Sequence, residues 1–262
     1  MKCTSSKYSK SQSDSKHLDL YQKFPTKGIL KQNLNKSLNS IKEILKSEKP
    51  TFIYSYVLTS VKNYNNMFYQ VGSAPNFQGD NITLCTCMHH MRCFIERTNW
   101  ENNVWIAGVT GSEYSIENNF LFYLMKVARA FPSQYDLWFS NQITNTDRLK
   151  KSSFKNVLGD LYFPKSKIIK NKLDPNEYHK PILSHSHRKN KLDYNWEFDI
   201  KYKHTKYLRD QSFLLGNQNL TFIWSRPIIK IKYRDEDNEV VNHPRTKRYN
   251  SINSFLKIID VV

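Results

Sequence analysis

Glycine and proline are scarce in this chain of 262 residues, with 7 and 9 copies respectively. A collagen-like or Gly/Pro-rich low-complexity protein is therefore excluded. Long apolar runs are missing too. No segment approaches the roughly 18 residues of a membrane-spanning helix, and the first residues lack the apolar stretch of a secretory signal. We therefore expect a cytoplasmic protein that has no membrane partner.

Cysteine is also rare, and its arrangement argues against a disulfide scaffold. Only four occur and three of them lie between positions 85 and 93, which favours a reducing compartment. Two histidines share that segment, so it holds five potential zinc ligands: Cys85, Cys87, His89, His90 and Cys93. A closed zinc site normally combines two separated ligand pairs, and no second cysteine pair follows. We expect core cysteines beside a polar rim, and neither a metal nor another cofactor; a zinc site is the alternative.

Basic residues, by contrast, are in excess. Lysine and arginine number 40 against 23 acidic residues, a formal charge of +17, and such an excess is typical of proteins that bind phosphates. Residues 1–50 hold 11 basic and 4 acidic groups, residues 51–147 hold 5 and 7, and residues 148–262 hold 24 and 12. AT-rich coding also produces a lysine excess, so the uneven distribution says more than the total. We expect a nucleic-acid or nucleotide partner whose phosphates contact the C-terminal half.

The chain divides into three parts by composition. Residues 1–28 are rich in Ser and Lys and predict a mobile basic tail. Apolar residues at spacings of three and four predict an amphipathic helix over residues 29–49: Leu30, Leu34, Leu38, Ile41 and Leu45. This helix either docks on its own domain or mediates self-association through residues 30–45. Residues 51–262 carry enough apolar material for a single domain with its own core.

Strand-like runs dominate that domain. Aromatic and β-branched residues fill residues 52–59, 82–87, 104–109 and 120–130, and weaker runs follow at 157–163 and 220–232. A short helix is predicted over residues 132–139, while residues 252–262 fit a strand or a short helix. The connections are too short for regular alternation of strands and helices. We therefore predict an α+β fold that is mainly antiparallel, with an N-terminal helix and few peripheral helices.

A turn between two predicted strands is the leading candidate for a binding site. It consists of Thr110, Gly111 and Ser112, and its hydroxyl and backbone N–H groups suit an anion or a base edge. Four aromatic residues flank it: Tyr54, Tyr56, Trp105 and Tyr123. Aromatic rings stack on bases while a polar turn hydrogen-bonds a base edge, so this combination predicts a pocket for a planar base.

Charged and imidazole side chains are candidates for contacts with the rest of a nucleotide. Arg92 and Lys126 suit a phosphate, and Asp160 follows a glycine before a short apolar run. His185 and His187 would face one side of a strand, although a solvated pair on a basic loop is the plainer alternative. Nucleophile elbows, phosphate-binding glycine loops and HExxH motifs are absent. If the chain is an enzyme, Asp160, His185 or His187 would be its acid–base groups.

A series of short segments in a fixed order is more specific than any one of them. It comprises Tyr54-Ser55-Tyr56-Val57-Leu58-Thr59, Ala74-Pro75-Asn76, Leu84-Cys85-Thr86-Cys87, Met91-Arg92, Val104-Trp105-Ile106-Ala107-Gly108, Thr110-Gly111-Ser112, residues 121–127 and Gly159-Asp160-Leu161-Tyr162. In these segments, over residues 52–232, the chain resembles the nucleotide modification associated domain, type two. It departs from that family's pattern at Met88-His89, where the family has Lys-Pro. The resemblance adds Asn76 to the candidate binding residues.

The resemblance implies a link to the DNA base-modification and phage-defence systems of bacteria and their viruses, without supplying a reaction. Together with the residue pattern it predicts a module that binds a modified or flipped base of a nucleic acid or nucleotide. Small pseudo-barrel modules of the PUA and EVE kind, which bind modified bases, are the analogy at the level of the fold. An enzyme that modifies a nucleotide or a nucleic-acid base is the alternative.

Overall fold

The computed structural model describes residues 22–23, 29–64, 66–70, 72–111, 119–156, 158–182, 196–232 and 245–261. These residues form an α+β fold with mostly antiparallel strands, a curled half-barrel sheet and few helices, which confirms the predicted fold class. No helix within these ranges has the length and apolar character needed to cross a membrane. Most of the predicted basic tail, residues 1–28, lies outside the described residues.

Short strands and short helices alternate irregularly along the described ranges. The strands are β1 (Gln22–Lys23), β2 (Phe52–Leu58), β3 (Val61–Tyr64), β4 (Met67–Gln70), β5 (Thr83–Leu84), β6 (Val104–Thr110), β7 (Asn119–Phe131), β8 (Lys203–His204), β9 (Arg209–Asp210), β10 (Phe213–Ile223), β11 (Ile229–Ile231), β12 (Thr246–Tyr249) and β13 (Ile259–Val261). The α-helices are α1 (Leu38–Glu48), α2 (His89–Arg92), α3 (Gln134–Trp138), α4 (Asn145–Lys151), α5 (Phe198–Lys201) and α6 (Ile252–Leu256). Turns of 3₁₀-helix lie at Ile29–Asn33, Arg97–Glu101 and Pro175–Glu177.

The main sheet has the strand order β12-β2-β6-β7-β10-β5, and β11 joins it by pairing with β7 and β13. Its pairs are antiparallel except β2 with β6, which run parallel from Phe52 opposite Val104 to Leu58 opposite Thr110. A parallel pair needs a long connection, and residues 59–103 supply one. The strands predicted for residues 52–59, 104–109 and 120–130 are confirmed as β2, β6 and β7.

Two apolar clusters cover the two faces of this sheet. One contains Tyr54, Tyr56, Phe77, Ile106 and Tyr123, all almost fully buried. The other contains residues of alternate positions on the same strands, together with helices α1 and α6: Ile53, Trp105, Ala107, Leu124, Phe222, Ile41 and Phe255 are among them. Successive side chains of a strand point to opposite faces, so β2, β6, β7 and β10 each contribute to both clusters.

The N-terminal helix is shorter than its sequence pattern predicts. Asn35 adopts a left-handed conformation with φ of 54°, and Ser37 caps the following helix by accepting a hydrogen bond from the backbone N–H of Ser40 at 3.2 Å. Helix α1 therefore begins at Leu38, and residues 29–33 form a 3₁₀ turn instead. Its apolar face, which includes Ile41, is buried in the domain's own core. Self-association through residues 30–45 stays a prediction.

Two predicted strands are much reduced for local backbone reasons. The run 82–87 yields only β5, because Cys87 and Met88 adopt left-handed conformations with φ of 57° and 50°, which a strand does not accommodate. The run 157–163 contains no regular strand in its described part; Leu161 makes one isolated bridge to Ser152. The C-terminal run resolves into both alternatives, helix α6 followed by strand β13.

Candidate nucleic-acid interface

The four rings that the sequence suggested as walls of one pocket lie on opposite faces of the sheet. Tyr54, Tyr56 and Tyr123 are in one core cluster, and Tyr123 donates a hydrogen bond to the Tyr56 hydroxyl at 3.0 Å. Trp105 is in the other cluster, stacked on Phe222 with ring centroids 6.4 Å apart. Every one of these predicted rings is at most 2% exposed. The expected slot is therefore replaced by filled core.

The hydroxyl-rich turn is only partly described. Thr110 ends strand β6 and is fully buried, and its hydroxyl accepts a hydrogen bond from the backbone N–H of Phe120 at 2.8 Å. Gly111 is partly exposed, whereas Ser112 lies outside the described residues, as do His185 and His187. The Thr110 hydroxyl thus links the start of β7 to the end of β6 rather than facing a ligand.

Asp160 and Asn76 belong to a buried polar network that the sequence analysis did not assemble. Asp160 accepts hydrogen bonds from the Thr83 hydroxyl at 2.8 Å and from the backbone N–H of Cys85 at 3.2 Å. Lys151 Nζ lies 3.3 Å from the Thr83 hydroxyl and 3.3 Å from both the carbonyl and the amide oxygen of Asn76. Since Asp160, Lys151 and Asn76 are all fully buried, this network holds the 74–85 segment against α4 and residues 158–161.

Burial shifts the titration of both charged members of this network. Desolvation lowers the pKa of Lys151 to about 8, although the nearby Asp160 carboxylate opposes the shift. Desolvation likewise raises the pKa of Asp160 to about 6, against the opposing charge of Lys151. The Thr83 hydroxyl, rather than a direct contact, connects the two groups. Their attraction therefore offsets only part of the cost of burial.

A second buried network is centred on Asp199 of helix α5. One carboxylate oxygen lies 2.7 Å from His89 Nε2 and accepts the backbone N–H of Cys87 at 3.2 Å. The other accepts the Tyr162 hydroxyl at 2.8 Å. These bonds stabilise the left-handed turn at Cys87 and Met88. Among the described residues no group of three or more His, Cys, Asp or Glu side chains is placed to hold a metal ion.

Arg92, predicted to hold a phosphate, is instead fully buried beside this second network. Its Nε donates to the carbonyl of Cys87 at 3.0 Å and its Nη1 donates to the carbonyl of Ser212 at 2.8 Å. The guanidinium also lies 5.3 Å from the centroid of the Phe213 ring. Arg92 therefore ties helix α2 to the start of β10, and in this conformation a phosphate has no path to it.

Lys126 is also engaged within the protein. Its ammonium group pairs with the carboxylate of Glu48 at 2.8 Å, and both side chains remain partly exposed. The pair connects β7 to the C-terminal end of helix α1. A partly exposed pair of this kind contributes little to stability. Of the predicted site residues, Trp105 lies directly opposite Lys126 in the pairing of β6 with β7.

An open basic cleft lies beside helix α6. It has a volume of about 980 Å³ and is bounded by β12, α6 and the ends of β11 and β13. Four cationic side chains, one carboxylate and several neutral hydrogen-bonding groups line it: Lys232, Lys247, Arg248, Tyr249, Asn250, Ser251, Asn253, Ser254, Lys257, Ile258 and Asp260. Lys232 pairs with Asp260, and four cationic groups against one carboxylate give the lining a formal net charge of +3.

Local packing explains why the cleft has this composition. Tyr249 turns its ring inward onto Phe255 at a centroid distance of 5.4 Å, which fixes helix α6 against β12. Ser251 caps that helix by accepting the backbone N–H of Ser254 at 3.2 Å. With the apolar side buried, Arg248 and Lys257 are left exposed. Arg248 packs its guanidinium 4.2 Å from the centroid of the Phe52 ring, which holds it in place.

The sequence predicts phosphate contacts in this half of the chain but does not single out these residues. The excess of basic residues after position 148 was the available signal, and the cluster of Arg245, Lys247 and Arg248 is visible in the sequence. The packing of α6 against β12 and β13, which brings the basic residues into one cleft, cannot be read from the sequence. Comparison of the chain with protein-family models, curated proteins and solved structures found no match.

Proposed function

We propose that the protein is a nucleic-acid-binding module that holds phosphates in the basic cleft. The observation that carries the proposal is the lining itself, in which four cationic side chains and one carboxylate lie together with Asn and Ser side chains. Lys and Arg bind phosphates and release counterions, while Asn and Ser donate hydrogen bonds to phosphate and sugar oxygens. A volume of about 980 Å³ is within the range of ligand-binding clefts.

The proposal extends to modified or flipped bases, with the protein serving in DNA base modification or phage defence. Its support is the resemblance of residues 52–232 to the nucleotide modification associated domain, type two, and the analogy with PUA and EVE modules. A base cannot stack on the four predicted rings because all of them are buried: Tyr54, Tyr56, Trp105 and Tyr123. In the proposed complex the base lies outside the core while its phosphates lie in the cleft.

The test compares oligonucleotide binding by the wild-type chain and by a variant that removes three cleft charges, Lys247→Gln, Arg248→Gln and Lys257→Gln. A matched control removes three exposed lysines elsewhere: Lys167→Gln, Lys170→Gln and Lys180→Gln. We expect the cleft variant to lose at least tenfold in affinity and to lower the slope of log K against log salt by roughly 2. Equal losses in the two variants would contradict the proposal.

The same binding measurements test whether the protein recognises a modified base. Oligonucleotides that contain 5-hydroxymethylcytosine are compared with unmodified ones of the same sequence, and the products are weighed by mass spectrometry after incubation. A module that binds modified bases is expected to bind the 5-hydroxymethylcytosine oligonucleotides more tightly and to leave the masses of both kinds of oligonucleotide unchanged. A changed mass would instead favour the enzymatic alternative.

A further inference from the structure

A ring-rich hairpin beside helix α2 is the second exposed surface that suits a nucleic acid. Strands β8 and β9 pair through Lys203 with Asp210 and His204 with Arg209. The intervening turn exposes two large apolar side chains, Tyr207 at 37% and Leu208 at 74%. Two adjacent exposed apolar side chains, one of them aromatic, make this turn a candidate contact surface.

The Tyr207 ring contacts other aromatic and imidazole rings of the protein. The Tyr207 ring lies 4.5 Å from that of His204 and 6.0 Å from that of Phe94. His204 in turn contacts the exposed ring of His90 at 4.7 Å. Burial and the neighbouring His204 lower the pKa of His90, so His90 is predominantly an uncharged ring at neutral pH. The hairpin and helix α2 therefore present a joint surface of rings.

Cationic groups surround these rings. Lys206 Nζ and the Arg209 guanidinium each lie 5.9 Å from the centroid of the Tyr207 ring, and Lys203 is exposed on the same hairpin. Of the nearby carboxylates, Glu96 is paired with Arg209 at 2.5 Å and Asp210 is exposed at the end of β9. The lysines therefore favour an anionic occupant over an apolar one.

A row of contacts connects this hairpin to the basic cleft. Arg248, which lines the cleft, packs on Phe52; Phe52 contacts Tyr54 at 5.4 Å, and Tyr54 contacts Phe94 at 6.1 Å. Phe94 then contacts Tyr207. Both Arg248 and Tyr207 also act electrostatically on the Tyr54 hydroxyl. The cleft and the hairpin are thus within reach of one oligonucleotide.

From these contacts we propose that Tyr207 and His90 form a stacking platform for unpaired bases, so that the preferred ligand is single-stranded nucleic acid. The inference rests on the proposed function, because phosphates in the cleft would bring the strand to the platform. Aromatic rings flanked by cations bind single strands with little sequence preference, since every base offers a flat face. In a duplex the bases are stacked inside, so they do not reach such rings without being flipped.

The experiment measures the affinity of the full-length chain for oligo(dT) and for a duplex of the same length at one salt concentration. The variants are Tyr207→Ala, which removes the ring, and Tyr207→Phe, which keeps it; Leu208→Ala is the control at the same turn. We expect Tyr207→Ala to bind the single strand about tenfold more weakly, while Tyr207→Phe stays close to wild type. Duplex binding and the salt slope are expected to stay unchanged, since no phosphate contact is lost. Equal melting temperatures of the variants establish that the fold is kept.

Several results would overturn the inference. One is unchanged single-strand affinity in Tyr207→Ala, and another is a wild-type protein that binds duplex as tightly as single strand. A third is loss of binding to vesicles of anionic lipid in Tyr207→Ala with oligonucleotide affinity retained, because the platform would then serve a membrane surface. If the cleft variant weakens both nucleic acids while Tyr207→Ala changes neither, the proposed function stands and only the platform fails. If the cleft variant has no effect, the proposed function fails first.

Discussion

His89 Nε2 lies 2.7 Å from Asp199 Oδ1, and the two side chains are 5% and 0% exposed. The pair joins helix α2 to helix α5, which are 110 positions apart in the chain. Asp199 also accepts hydrogen bonds from the backbone N–H of Cys87 and from the Tyr162 hydroxyl. A single carboxylate therefore fixes three segments of the chain around the left-handed turn before helix α2.

Removing the charge of this carboxylate tests its structural role. We expect Asp199→Asn to lower the free energy of unfolding by about 3 kcal/mol, because a buried hydrogen-bonded charge loses its partners. The control is Asp210→Asn at the exposed end of strand β9. It is expected to change stability by less than about 0.5 kcal/mol. Urea unfolding monitored by tryptophan fluorescence measures both. Equal stabilities of the two variants would show that the network is not what holds these segments.

The pKa of Lys151, lowered to about 8, predicts a rise of stability at alkaline pH. Between pH 8 and 10.5 the unfolded chain keeps the proton that the folded chain has released, so the free energy of unfolding increases with pH. The contribution is fully present above pH 10.5 and is lost as pH falls through 8. Its size is on the order of 3 kcal/mol. In Lys151→Met the rise should vanish, and a rise of the same size in both proteins would contradict the assignment.

Asp160 predicts a pH dependence on the acid side. Its pKa is raised to about 6 from 3.8, so the folded chain binds a proton more readily than the unfolded chain. The stabilising contribution is fully present below pH 3.8 and is lost as pH rises through 6. Thermal melting of the wild type and of Asp160→Asn over this range measures the difference. The loss between pH 4 and 6 should be smaller in the variant, and parallel curves would oppose the prediction.

Gly108 tests whether the space between β6 and β7 is filled core. A Cβ atom at Gly108 would lie 2.2 Å from Cε1 of Tyr123, so we expect Gly108→Ala to cost 1–3 kcal/mol or more. Gly111→Ala is the matched control, since its nearest side-chain atom, Val57 Cγ1, is at 3.3 Å. Urea unfolding compares the two. A tolerated alanine at position 108 would instead favour an open slot beside Tyr123.

The sequence predicts much of the fold because several strands are recognisable from local composition. Strands β2, β6 and β7 coincide with aromatic and β-branched runs, and helix α3 lies within the helix predicted for residues 132–139. The parallel pairing of β2 with β6 was not predictable, because it depends on the path of residues 59–103. Helix α1 was predicted too long, since the left-handed Asn35 interrupts an apolar repeat that continues in the sequence.

The candidate sites were harder to predict because their members are distant in sequence. Lys151 reaches Thr83 across 68 positions and Asp199 reaches His89 across 110, and no local spacing signals either contact. The sequence also does not show which face of the sheet a ring occupies, because that depends on how the strands pair. Trp105 and Tyr54 were therefore predicted to line one pocket although they lie on opposite faces. The uneven charge along the chain did indicate the region of the basic cleft. Several of the cleft's basic residues are close together in the sequence, so their charge is visible without knowledge of the fold.

The most direct test of the account is photo-cross-linking of the wild-type chain to a single-stranded oligonucleotide that carries 5-iodouracil at each position, followed by mass spectrometry of the peptides. We expect cross-links in the peptides from residues 247–257 of the cleft and in the peptide that contains Tyr207 of the hairpin. Cross-links confined to residues 119–182, with neither of these peptides labelled, would contradict the account.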